Sequence, residues 1–138
     1  MKQVLIVDDE QTFLLSLQEG LSDQENYQVK IALNGQEALD VLKSEKIDLL
    51  VTDLKMPVMD GFDLLEQMSG QYPEVPVIVT TSFSTEEIKQ RLEKIDNFRY
   101  LEKPLDLDVL VETIEQALVA GEHGLIHNIN QVAAGEKN

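Results

Sequence analysis

The chain contains no cysteine, which excludes a disulfide framework and any thiolate metal site. It also lacks a long hydrophobic run. Stretches such as "IDLLV" and "VPVIV" are the longest, far short of the ~20 apolar residues a membrane helix needs, so no membrane association is expected. The opening "MKQVLIVDDE" turns acidic too soon for a signal peptide and has no small-residue cleavage site. The chain therefore reads as cytoplasmic. Bases are scarce as well: 11 Lys and Arg stand against 26 Asp and Glu, a formal net charge of −15. Such a surface repels phosphate backbones and anionic lipid, and direct nucleic-acid binding is not expected.

What remains fits one globular domain. With 138 residues, 43% hydrophobic and 27% charged, the chain can bury roughly two-thirds of its unfolded surface. Short β-branched runs occur at Gln3–Val7, Val29–Leu33, Asp48–Thr52, Val75–Thr80 and Phe98–Leu101. Between them the apolar residues take helical spacing. Phe13, Leu14, Leu17 and Leu21 form one face. Asn34 caps a second helix with Glu37 three residues on, and Ala38, Leu39 and Leu42 are its buried stripe. Phe62, Leu65 and Met68 belong to a third helix ending near Gly70. "STEE" at 84–87 opens a fourth, with Ile88 and Leu92 inward. A fifth starts near Asp106 and buries Leu107, Leu110, Val111, Ile114 and Leu118, until Gly121 and Gly124 interrupt it.

Five strands alternating with five helices imply parallel pairing in a doubly wound α/β fold, since every strand-to-strand crossover is a helix. In such sheets ligands bind beyond the carboxyl ends of the strands. Asp8 and Asp9 end strand one, Asp53 ends strand three, Thr80, Thr81 and Ser82 end strand four, and Lys103 follows strand five. The chemically distinctive residues thus fall on one edge. Carboxylates clustered beside a core repel one another at a cost of several kcal/mol unless compensated. A hard cation with oxygen ligands would compensate them. Glu10 instead suits the start of the first helix, near the positive end of its dipole.

Four stretches in this order, "VLIVDDE", "LLVTDLKMPVMDGFDLL", "VPVIVTTSF" and "YLEKPL", resemble the receiver domain of bacterial two-component response regulators, the CheY-like family. The resemblance spans about residues 2–120, and "DLKMPVMDG" is its most specific part. It implies a five-stranded parallel sheet of order 2-1-3-4-5 in a flavodoxin-like three-layer sandwich. It makes Asp53 the phosphoacceptor, a carboxylate that attacks phosphorus to form an acyl phosphate. It gives Mg²⁺ to Asp8, Asp9, Asp53 and the backbone carbonyl of Lys55, with Asp9 the direct ligand and Asp8 acting partly through water. Lys103 would pair with the acceptor carboxylate and then with a phosphoryl oxygen. Pro104 would carry a cis peptide that aims Lys103 at the site.

The resemblance also makes Thr81 the switch hydroxyl, with Thr80 turned away by strand alternation, and Tyr100 the aromatic that moves with it. Pro57 fixes φ after the acceptor and Gly61 permits a turn before the third helix. Phe83 and Lys55, two residues beyond Thr81 and Asp53, would tune the lifetime of the acyl phosphate. The chain departs from the family at Ser82, where alanine is common, and at "IDNFRY", where a Gly-Ala pair usually precedes strand five.

The function implied is that of a signalling phosphoprotein rather than a turnover enzyme. A histidine kinase or histidine phosphotransfer protein would give its phosphoryl group to Asp53, with Mg²⁺ as cofactor. The strand-four to strand-five face would then bias a downstream output protein or domain, or a phosphorylation-dependent dimer. Phosphotransferases of similar fold place Asp-x-Asp at one strand end, and neither "DDE" nor "DLK" has that spacing. Residues 1–121 form the expected receiver unit. Residues 122–138 are either a terminal tail or the start of a linker to an output module. "IHNINQ" within them is similar to a sensor-kinase histidine box, in which His127 would be the phosphorylated histidine.

Overall fold

Val4, Leu5, Ile6 and Val7 are buried on both faces of β1 (Lys2–Val7), and a strand apolar on both sides needs cover on both sides. The computed structural model describes residues 1–82, 85–94 and 98–122. After β1 come α1 (Gln11–Gly20), β2 (Tyr27–Ala32), α2 (Gly35–Ser44), β3 (Leu49–Asp53), α3 (Gly61–Gln71), β4 (Val77–Thr81), α4 (Glu86–Leu92), β5 (Phe98–Glu102) and α5 (Leu107–Glu122). The five strands are parallel in the order β2-β1-β3-β4-β5, as the family resemblance implies.

Alternation along the strands divides the core in two. Leu5, Val7, Leu50, Val77, Val79, Phe98 and Tyr100 pack with α2, α3 and α4. Val4, Ile6, Leu49, Val51, Ile78 and Leu101 pack with α1 and α5. The sheet is therefore the middle of three layers. The central strands β3 and β4 are buried at every residue, whereas the edge strand β2 is buried only at Tyr27 and Ala32.

Local signals hold the helix starts in place. Asn34 Oδ1 accepts from the Glu37 amide at 2.9 Å, and Glu37 Oε1 reaches back to the Leu33 amide at 2.9 Å. This closes the first turn of α2. Asp60 caps α3, Thr85 caps α4, and Asp106 accepts from the amides of Asp108 and Val109 at the start of α5.

Four expectations need correction. Leu107 is 39% exposed, because it is the first residue of α5 and its side chain rests beside Gly20 of α1 at the helix end rather than under the sheet. Gly121 does not interrupt α5, which runs through it to Glu122; one glycine costs a helix only about 1 kcal/mol, and Ile114, Ala117 and Leu118 anchor the preceding turns. Val111, expected to be buried, is half-buried, packed against the outside of the α1–α5 core. Gly61 is the first residue of α3, and close approach rather than a left-handed turn demands it: a Cβ there would lie 2.7 Å from Leu54 Cα and against the Asp53 carbonyl. Phe83, Ser84, the first half of "IDNFRY", Gly124 and His127 lie outside the described residues.

Candidate functional site

Because the strands are parallel, their carboxyl ends open on one edge of the sheet. The register sets Val7 beside Thr52, Asp53 beside Thr80 and Thr81 beside Glu102. Asp8 and Asp9 leave β1 where Asp53 ends β3. One carboxylate oxygen from each of the three comes within 4.8 Å of the others. Asp8 is 1% exposed and Asp53 8%, while Asp9 faces solvent.

Each buried carboxylate is held from two sides. Asp8 Oδ1 accepts from the Glu10 amide at 3.0 Å, and its Oδ2 accepts from Lys103 Nζ at 2.7 Å. Asp53 Oδ1 accepts from the Leu54 amide at 2.7 Å, and its Oδ2 accepts from Lys103 Nζ at 3.3 Å. Lys103 thus bridges both, with the shorter bond to Asp8 rather than to Asp53. The β5–α5 segment that carries it is tied to β4, since the Lys103 amide donates to the Thr81 carbonyl at 2.9 Å. The Lys103–Pro104 peptide is cis.

Burial is the main influence on Asp53 and pushes its pKa up. Asp8 adds to the rise, while Lys103 and the Leu54 amide oppose it. Burial works against the Lys103 charge too, but the hydrogen bond to Asp8 and the fields of Asp53 and Asp8 outweigh it and raise that pKa. Among these four groups the three carboxylates outnumber the one ammonium, a local deficit of positive charge. A divalent cation fits that deficit and that set of hard oxygen donors.

The other expected residues take their places around this group. Alternation puts Thr81 on the face of Val77 and Val79, and Tyr100 lies on the same face of β5 opposite Val79. Thr80 falls on the opposite face, with Ile78. Both threonines are buried. Lys55 and Pro57 are exposed in the β3–α3 loop, and Gly61 closes it by donating from its amide to the Leu54 carbonyl at 2.8 Å. The sequence reading missed three features. One is the Asp8–Lys103 bond. Another is the Phe13 ring, whose centroid lies 4.6 Å from Lys103 Nζ. The third is Val58, which holds φ at 69°. Hydrophobic spacing marks Phe13 as core and carries no sign of a lysine ninety residues away.

The profile of the response regulator receiver domain matches residues 4–115. The chain belongs to this family. Phosphoryl transfer to an aspartate is the general function of receiver domains, and the family binds Mg²⁺ at its acidic pocket. Sporulation initiation phosphotransferase F of Bacillus subtilis is 31% identical to this receiver domain, covering 85% of this chain and 94% of that protein. The transcriptional regulatory protein ZraR of Salmonella typhimurium is 36% identical over 83% of this chain, which spans only 26% of ZraR. Among solved structures, a CheY-like receiver domain from Methanospirillum hungatei superposes with a TM-score of 0.83 at 30% identity, covering 90% of this chain and 98% of that one. The response regulator TrrA of Thermotoga maritima, in complex with Mg²⁺ and BeF, gives 0.75 at 29% identity, covering 86% and 100%. No helix among the described residues is long and apolar enough to cross a membrane.

Proposed function

We propose that this receiver domain accepts a phosphoryl group on Asp53 from a phosphohistidine of a histidine kinase or histidine phosphotransfer protein. The observation that carries the reading is the convergence of the Asp8, Asp9 and Asp53 oxygens, with Lys103 bridging Asp8 and Asp53. An Asp53 oxygen forms the new P–O bond as the P–N bond breaks, and the imidazole leaves with the electron pair and takes a proton from water. Such transfers need positioning and charge neutralisation more than covalent help. Asp9, Asp53 and the Lys55 carbonyl would hold Mg²⁺ directly and Asp8 partly through water; the bound ion would shield the incoming phosphoryl charge.

The chain's own groups do the rest. The Leu54 amide fixes one Asp53 oxygen. Lys103, already between the two buried carboxylates, turns to a phosphoryl oxygen as negative charge arrives there. Thr81 donates its hydroxyl to the phosphoryl group, and Tyr100, on the same sheet face, shifts with it. The β4–β5 face then carries the signal to an output protein or domain, or to a second copy. Hydrolysis of the acyl phosphate at the same site resets the switch, so the chain acts as a cytoplasmic signalling phosphoprotein with no separate substrate. Residues 1–121 make up the receiver unit, and 122–138 a tail or linker.

Intact-mass spectrometry after incubation with Mg²⁺ and a small acyl phosphate tests the reading. The parent should gain one phosphoryl group, and chelation of the metal should abolish the gain. An Asp53→Asn variant that gains the group as readily as the parent would refute the assignment.

A further inference from the structure

We propose that Phe13 is a positioning residue for Lys103, holding the ammonium at the site by the face of its ring while the anions around it change. The inference rests on the proposed role of Lys103 toward the phosphoryl group. Lys103 Nζ lies 4.6 Å from the Phe13 centroid, within the ~6 Å over which a ring face attracts a cation. The lysine side chain is only 12% exposed, so this attraction acts with little screening by water. Phe13 sits on the first turn of α1, half-buried against the α1–α5 core that includes Leu14 and Leu110. That packing fixes the ring independently of the site.

The ring matters because the other two neighbours of Lys103 are not constant. Asp8 and Asp53 are the carboxylates that the proposed function commits to the metal and to the phosphoryl group. Once their charge is engaged elsewhere, their hold on the ammonium weakens. A lysine on a flexible four-carbon stem would then gain freedom to swing to solvent. Phe13 cannot bind the metal and cannot be phosphorylated, so its contact persists through the transfer. Attraction to a ring face is also tolerant of sliding, whereas a hydrogen bond is directional. The ammonium can therefore pass from the Asp8 oxygen at 2.7 Å to a phosphoryl oxygen without leaving the ring.

Phosphorylation rates with Mg²⁺ and a small acyl phosphate test this on the full chain. Phe13→Leu keeps an apolar filler and removes the ring, and the rate should fall about tenfold, a change of about 1.4 kcal/mol in barrier. Phe13→Tyr keeps a ring face and should stay near the parent rate. Replacing Phe13 by phenylalanines with increasing ring fluorination withdraws charge from the face while preserving an apolar ring, so the rate should fall stepwise along the series. A role in packing alone would leave that series flat. Melting temperatures recorded in parallel separate lost folding from lost positioning, and the fluorinated series answers even if the leucine variant fails to fold. A parent that takes up phosphoryl normally, with the fluorinated series at one common rate, overturns this inference and leaves the assignment of Asp53 standing. A parent that takes up none overturns both.

Discussion

Val58 shows how one residue can carry local strain beside a site. A β-branched residue at φ 69° pays roughly 1–2 kcal/mol for the left-handed backbone, and its side chain is 83% exposed, so burial returns almost nothing. Asparagine tolerates that region. Val58→Asn should therefore stabilise the fold by about 1 kcal/mol, a rise in melting temperature of about 3 °C, readable by calorimetry; an unchanged or lower value would show that the loop adopts another backbone in solution. Asp53 carries a cost of a different kind. Its folded pKa is raised, chiefly by burial, so ionised Asp53 opposes folding above its unfolded pKa and the penalty fades as pH falls through the folded value. Without metal, Asp53→Asn should melt higher than the parent at neutral pH, and the gap should close on acidification. A lower melting temperature for the variant would mean that the bond to Lys103 outweighs burial. Position 53 was legible from "VTDLKMP" at a strand end. Val58 was not, because the dihedral belongs to a loop whose course depends on Gly35 and Gly61 packing against it.

At the scale of elements, α3 contains two glycines with opposite demands. A Cβ on Gly61 would press on the backbone of Asp53 and Leu54, and backbone at the end of a central strand has nowhere to go. Gly70 has no atom within 4 Å of the same probe position. Gly61→Ala should cost about 3 kcal/mol and slow phosphoryl uptake, since the strain falls on the acceptor itself. Gly70→Ala should stabilise by up to about 1 kcal/mol and leave uptake unchanged. Chemical denaturation of the two variants checks both signs, and equal effects would contradict the close approach at Gly61. Helix starts were the most legible elements: Asn34 caps α2 as its spacing to Glu37 implied, and the "STEE" pattern lay one residue from the cap of α4, which is Thr85. Helix five was the least. Its apolar period continues into Leu107, yet whether a periodic residue meets the sheet depends on where the helix docks.

For the molecule as a whole, the alternation of strands and helices disclosed a parallel three-layer fold, while the strand order came only through the family resemblance, since periodicity says nothing about which strands are neighbours. The same limit applies to the site. That Asp8, Asp53 and Lys103 share an edge follows from strand ends in a parallel sheet; that Lys103 lies nearer Asp8 than Asp53 depends on packing between β1, β3 and β5 across ninety-five residues. The central claim is that this edge delivers a phosphoryl group to one particular carboxylate among three in close reach. Borohydride reduction of the phosphorylated chain, followed by peptide sequencing by mass spectrometry, tests it most directly, because hydride converts an aspartyl acyl phosphate to homoserine and leaves free aspartates intact. The account predicts homoserine at position 53 alone, and homoserine at position 8 or 9 with aspartate retained at 53 would contradict it.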